Sequence, residues 1–239
     1  VTSLRIKVIA CATVIEEMLP LLPSGMTYEV LDFGLHLRPE NLRDTLQKAI
    51  NTASAEADII ILGYGLCSMA VVGLKATHCT LVVPRVDDCI AIFLGSRAAY
   101  KEQSSQEPGT YYLTKGWIEV SDTPFEEHKR LVERYGQERA DRMIKLMLKN
   151  YTRLAFIDTG QYEQEHYREY AHRMAKQFEL RYEEIPGSTA LIKKLLNGPW
   201  DDDFVVARPG ETITYADFRT TATGMCNLPG MSSNKPETD

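Results

Sequence analysis

Short apolar runs broken by Gly, Pro and charged residues alternate with longer stretches that carry an apolar stripe at helical spacing. Leu4 to Ala10 alternates and then turns wholly apolar, which predicts a first strand with Cys11 at its end. Thr13 to Leu22 predicts a short helix stopped by Pro23-Ser24-Gly25. Thr27 to Phe33 predicts a second strand, left through Gly34-Leu35-His36. Pro39 and Asn41 stand where a helix begins, and Leu42, Leu46 and Ile50 give it one apolar face. Ile59 to Leu62 is a β-branched run too short for a helix, and it predicts a strand buried on both faces. Gly63 and Gly65 break that run and Cys67 follows. Met69 to Leu74 predicts a helical turn, Thr80 to Val83 a fourth strand, and Ile90 to Tyr100 a helix capped by Asp87 or Asp88.

The pattern changes after residue 100. Lys101 to Pro108 is polar, and Gly109 to Trp117 is aromatic-rich with no obvious partner strand. Phe125 to Asn150 predicts a long amphipathic helix or a helix pair broken at Gly136, with Leu131, Val132, Tyr135, Met143, Leu146 and Met147 as its packed face. Arg153 to Ile157 and Leu180 to Ile185 predict strands on either side of a helix over Gln164 to Phe178. A helix over Thr189 to Leu196 and a last strand over Phe204 to Ala207 complete the pattern. Strands alternating with helices predict an α/β fold with a parallel sheet, Rossmann-like and doubly wound. The expected division is a first α/β lobe over 1–100, an aromatic linker over 101–125, a second α/β lobe over 126–219 and a flexible tail over 220–239. The two lobes would face a cleft; a single large sheet is the alternative.

With 27 Lys+Arg against 33 Asp+Glu, the net charge of −6 gives no bulk electrostatic case for nucleic acid or an anionic membrane. No stretch approaches the roughly 20 apolar residues of a membrane helix. Val8 to Ile15 runs into Glu16-Glu17 without a small-residue cleavage pattern, so it reads as strand and helix and not as a signal peptide; a cytoplasmic location is expected. Five irregularly spaced cysteines point to reduced thiols or metal ligation, not to a disulfide framework.

Cys11, His36, Cys67 and Cys89 each follow one of the first four predicted strands. If those strands are parallel neighbours, all four side chains share one rim. Three thiolates and an imidazole suit a tetrahedral Zn²⁺, and sulfur ligands also suit a [4Fe–4S] cluster. The competing reading makes Cys11 and Cys67 small buried hydrophobes. Cys79 precedes a strand, at the opposite end, and Cys226 lies in a Gly/Pro-rich stretch; neither is expected in the site. Asp88 would orient a ligand or act as general base, with His36 and Arg85 beside it, although Asp is equally a preferred helix cap. Gly63-Tyr64-Gly65 lacks the third glycine of a dinucleotide fingerprint and reads as close backbone approach to a ligand. Thr159-Gly160 and Gly187-Ser188 end later strands and would face the first rim, as candidate cofactor-binding positions. Tyr111, Tyr112, Thr114 and Trp117 would either close over the site or pack between lobes, and His128, His166 and His172 fall on charged helix faces expected to be exposed.

Cys11, Leu62-Gly-Tyr-Gly-Leu-Cys67, Pro84-Arg-Val-Asp-Asp-Cys-Ile90 with Leu94-Gly-Ser96, and Gly109 to Trp117 together resemble the domain-of-unknown-function family numbered 1638, found in bacteria and archaea. Its members are often encoded beside corrinoid-dependent methyltransferases, which implies methyl transfer with a corrinoid protein as partner. Asp-x-His-x-x-Gly is absent, so this chain is not expected to hold the corrinoid itself. Three functions follow as expectations. The first is a zinc-dependent enzyme of one-carbon metabolism acting on a small molecule. The second is an iron–sulfur redox protein, and the third a non-catalytic binding module.

Overall fold

A computed structural model describes residues 4–121 and 123–219. The predicted tail and Cys226 lie outside the described residues.

Strand β1 (Ile6–Cys11) runs directly into helix α1 (Ala12–Met18), which a 3-10 turn over Leu19–Leu21 prolongs. Strand β2 (Thr27–Leu31) leaves through a 3-10 turn, Phe33–Leu37, that carries His36 and leads to α2 (Pro39–Ala53). Strands β3 (Ile59–Gly63) and β4 (Thr80–Pro84) are buried along their whole length, as their unbroken apolar runs require. The helix expected over Ile90 to Tyr100 is two, α3 (Cys89–Phe93) and α4 (Arg97–Gln106). Gly95 separates them at φ +82°, where a Cβ would also strike the Ser188 side chain.

Strand β5 (Thr110–Leu113) and α5 (Lys115–Val120) replace the expected linker. Helices α6 (Pro124–Tyr135) and α7 (Gln137–Met147) break at Gly136, as read from the sequence. Strand β6 (Arg153–Asp158), α8 (Glu165–Gln177), β7 (Arg181–Pro186), α9 (Ala190–Asn197), β8 (Phe204–Ala207) and α10 (Tyr215–Arg219) follow.

Two sheets result: a mostly parallel one in the order β2-β1-β3-β4-β8 and a parallel one in the order β5-β6-β7. The fold is therefore mixed α/β. Two findings depart from the sequence pattern. The aromatic segment that seemed to lack a partner is β5, paired with β6 from Thr110 opposite Arg153 to Leu113 opposite Phe156. The last strand, β8, crosses back to the first sheet and pairs antiparallel with β4.

The central strand of the smaller sheet, β6, is buried on both faces, which joins that sheet to the larger one. Leu154 and Phe156 pack with α6, α7 and α8, while Ala155 and Ile157 point the other way and join the core of the first sheet. No open cleft separates the sheets at the Gly187 turn. Ser188 N–H donates to the Phe93 carbonyl at 2.8 Å, and a Cβ on Gly187 would come within 2.9 Å of that same oxygen. Trp117 meets Phe93 edge-on at 5.6 Å, so the aromatic segment packs between the lobes.

The helical hairpin corrects two further expectations. His128 is buried and shares a 2.7 Å hydrogen bond with Asp141, while His166 and His172 are exposed as expected. Leu131 is buried, but Tyr135, Met143, Leu146 and Met147 face outward; the packed positions of α7 are Ala140 and Ile144. Among the described residues no helix is long and apolar enough to cross a membrane.

Candidate functional site: a thiol edge on the parallel sheet

The strand order places β2, β1, β3 and β4 side by side, all parallel, so their carboxyl ends form one edge. His36 follows β2, Cys11 ends β1, Cys67 lies four residues past β3, and Cys89 opens α3 after β4. All three cysteines are buried free thiols.

Burial dominates their electrostatics, and each also feels at least one neighbouring thiol or carboxyl. Burial pushes the Cys67 thiol up to about 12, and the neighbouring Cys11 and Asp88 add to the shift. Burial raises Cys89 well above its ordinary value, with Cys67 and Cys11 contributing. Cys11 is raised by burial, against a 3.3 Å contact with the Thr13 hydroxyl that lowers it. The Tyr64 hydroxyl is raised first by burial and then by Cys11, Cys67 and Cys89, so it stands within electrostatic reach of all three sulfurs. These thiols therefore carry their protons at neutral pH.

Tyr64 is 1% exposed, and its hydroxyl has no hydrogen-bond partner among the described residues. Its ring stacks at 5.9 Å on His36, which stacks at 5.3 Å on Phe33. His36 Nε2 is also buried without a partner, and burial lowers its pKa, leaving a neutral imidazole. Buried polar atoms normally find partners, and these two share that lack with Arg85, Tyr112, Gln161, Gln164 and Tyr182 among the described residues.

Local backbone fixes this edge. A Cβ on Gly65 would lie 2.9 Å from the Val86 carbonyl and 3.0 Å from the Asp88 backbone, so only glycine lets the two turns touch. Leu66 N–H donates to Val86 O at 2.8 Å and Cys67 N–H to Asp87 O at 3.1 Å, which ties the Cys67 turn to the Cys89 turn. Cys67, Ser68 and Met69 then run consecutively through left-handed backbone at φ 45°, 55° and 73°. Three successive non-glycine residues there are strained, and such strain clusters at functional sites.

The remaining predicted positions go elsewhere. Asp88 caps α3 by accepting from Ile90 N–H at 2.9 Å, and its carboxyl is raised chiefly by burial. It stays beside the thiols. Arg85 turns toward β8, donating to Phe204 O at 3.0 Å, away from them. A Cβ on Gly63 would meet that of Ala10 at 2.6 Å, so this glycine serves strand packing. Thr159 donates to Glu17 at 2.6 Å, and Gly160 N–H to Asp158 at 2.8 Å. Thr159, Gly160, Gly187 and Ser188 thus form the seam between lobes and are not gathered with the thiols. Cys79 precedes β4, at the opposite end.

Sequence reasoning assigned Tyr64 to a backbone loop and missed its hydroxyl. It also missed Glu17, wholly buried and accepting from both Thr159 and Tyr162, the latter at 2.7 Å. The available signal was Thr13 and Glu17 four residues apart on one face of α1.

Zinc suits this donor set chemically: three thiols, a neutral imidazole with a free nitrogen, and a hydroxyl in reach. The arrangement is not closed, because among the described residues no group of three or more His, Cys, Asp or Glu is placed to hold a metal ion.

Fold and edge together define a mixed α/β protein with three buried free thiols following the carboxyl ends of a parallel sheet. The chain belongs to the family of unknown function numbered 1638, whose model matches residues 30–196, well over half its length. That span includes His36, Cys67 and Cys89 and begins after Cys11. No curated protein and no solved structure matches the chain.

Proposed function

We propose that Cys11, Cys67 and Cys89 bind a zinc ion, with His36 as fourth ligand or proton carrier, and that the site serves methyl transfer to a small thiol. The observation that supports this reading is that three buried thiols follow three neighbouring parallel strands, with the unpartnered Tyr64 hydroxyl within electrostatic reach of each. Each lone neighbour of a thiolate raises its pKa; a shared cation would offset that repulsion and make all three thiolates favourable together. The strand order supports the location. Chain direction away from β1 reverses between β1 and β3, the switch point where doubly wound sheets bind their ligands, and Cys11 and Cys67 flank it.

When bound, zinc lowers a coordinated thiol's pKa toward neutrality. Tyr64 would then donate to a ligand sulfur and Asp88 would accept the thiol proton. The sulfur lone pair would form the new bond to the methyl carbon, and the bond to the donor would break with its electron pair left on the donor. A methylated corrinoid protein is the donor class expected from the family resemblance.

Elemental analysis of protein purified without added metal tests the reading. About one equivalent of zinc, lost in Cys67→Ser, is expected. A brown protein containing iron and sulfide would instead establish the cluster reading. Less than about half an equivalent of any transition metal, unchanged by Cys67→Ser, would leave a binding module.

A further inference from the structure

Strand β8 is the free border of the larger sheet, and a cavity of about 570 Å³ is lined by all of its residues, Phe204 to Ala207. Glu211, Thr212, Thr214 and Asp217, from the segment that follows β8, line it as well.

The hydrogen-bond pattern shows what this border offers. Arg85 N–H donates to Asp203 O at 2.7 Å, in register with the β4–β8 ladder, so these two residues are a hydrogen-bonded pair. Such pairs alternate along antiparallel strands. Val205 and Ala207 therefore face β4, while Phe204, Val206 and Arg208 turn their backbone groups outward. Phe204 is satisfied there: its N–H donates to Asp201 O and its carbonyl accepts from Arg85 Nη2, each at 3.0 Å. Arg208 is satisfied too, its N–H donating to the Glu211 carboxylate at 2.8 Å and its carbonyl accepting from Glu211 N–H at 2.9 Å. Val206 lies between them. Among the described residues nothing bonds its outward N–H or carbonyl. A donor and an acceptor side by side on a strand border match the backbone of an extended segment.

Charge selects the segment. The carboxylates of Asp201, Asp202, Glu211 and Asp217 line the cavity, against the guanidinium groups of Arg85 and Arg208. Lys194 pairs with Asp201 at 2.6 Å. Asp202, Glu211 and Asp217 have no cationic partner among the described residues, so the lining favours positive charge. We infer that this border takes a short extended peptide segment rich in Lys or Arg, which pairs one residue with Val206 and lays cationic side chains against Asp202, Glu211 and Asp217. It needs no metal at the thiol edge.

Calorimetric titration of the protein with acetyl-Lys-Val-Lys-Val-Lys-amide tests the inference. This peptide is expected to bind at least about tenfold more tightly than the same peptide with Glu in place of Lys. The same margin is expected over its form N-methylated at every residue, which keeps the charge and removes the backbone donors. Val206→Pro removes the outward N–H at a border position, where proline is tolerated, and should bring the preference over the N-methylated form to about one. Asp202→Asn/Glu211→Gln changes two exposed side chains and should lower the preference for the lysine peptide over its Glu counterpart. Equal binding of the N-methylated form by wild type shows attraction by charge alone and overturns the inference; so does a lysine peptide that does not bind at millimolar concentration. A wild-type protein that self-associates, and loses the association in Val206→Pro, gives this border to a second copy and overturns it as well.

Discussion

Gly65→Ala isolates the contact that joins the Cys67 turn to the Cys89 turn. The added methyl carbon would stand 2.9 Å from Val86 O and 3.0 Å from both N and Cα of Asp88. All three are backbone atoms, so no side chain can swing aside. Relief requires the turns to separate by about half an ångström, and overpacking of this kind costs about 1–3 kcal/mol. Separation also weakens the Leu66–Val86 and Cys67–Asp87 hydrogen bonds, each contributing about 1 kcal/mol net. Removing glycine's freedom from the unfolded chain returns about 0.4–1 kcal/mol. The balance is a loss of about 2–4 kcal/mol. At this chain length each kcal/mol shifts Tm by about 2–4 °C, so thermal unfolding followed by circular dichroism should move down by about 4–16 °C. Metal content should fall as well, because the two turns carry two of the three sulfurs. Ser68→Ala is the control on the same loop: its side chain is exposed, and a change within about 0.5 kcal/mol is expected. A Gly65→Ala protein that melts within about 1 °C of wild type would show that the two turns do not touch as described.

Glu17→Gln tests the seam between lobes. Burial lifts Glu17 above its ordinary 4.5, against hydrogen bonds from Thr159 and Tyr162, so the folded protein holds this proton more tightly than the unfolded chain. Its contribution is complete below that ordinary value and is lost as pH rises through the raised one. Wild type should therefore lose stability relative to Glu17→Gln in denaturant melts as pH rises above the ordinary carboxylate value of 4.5; parallel profiles would refute the assignment. Arg153→Met tests the second sheet. This guanidinium, 2% exposed, donates to Thr110 at 2.8 Å, Glu183 at 3.0 Å and Gln103 at 2.9 Å, which joins β5, β7 and α4. Because Glu183 keeps Arg181 as a partner, a loss of about 2 kcal/mol is expected, less than for a fully buried pair. A melt unchanged within error would mean the three donors contribute no net stability.

What the sequence disclosed divides by range of interaction. The buried strands Ile59–Gly63 and Thr80–Pro84 announce themselves through unbroken β-branched runs, and the placement of Cys11, His36, Cys67 and Cys89 after successive strands follows from local order alone. Pairings between distant segments are another matter. Nothing near Tyr111 specifies that it lies opposite Leu154, and nothing near Val205 specifies an antiparallel return to Val83. Helix α7 shows a related limit: Met143, Leu146 and Met147 have the spacing of a packed face, yet only its Ala140–Ile144 side meets a neighbour. A lone carboxylate such as Glu17 reads as surface until the seam that buries it is known. Gly65 was legible as a close approach, but its neighbour is the chain's own Val86–Asp88 turn.

Zinc-edge X-ray absorption on the protein as purified examines the thiol edge most directly. Three sulfurs at about 2.3 Å, completed by one lighter ligand, are the expected shell, falling to two sulfurs in Cys67→Ser. A zinc shell of nitrogen and oxygen only, with all three thiols still open to alkylation after unfolding in chelator-free denaturant, would contradict the account.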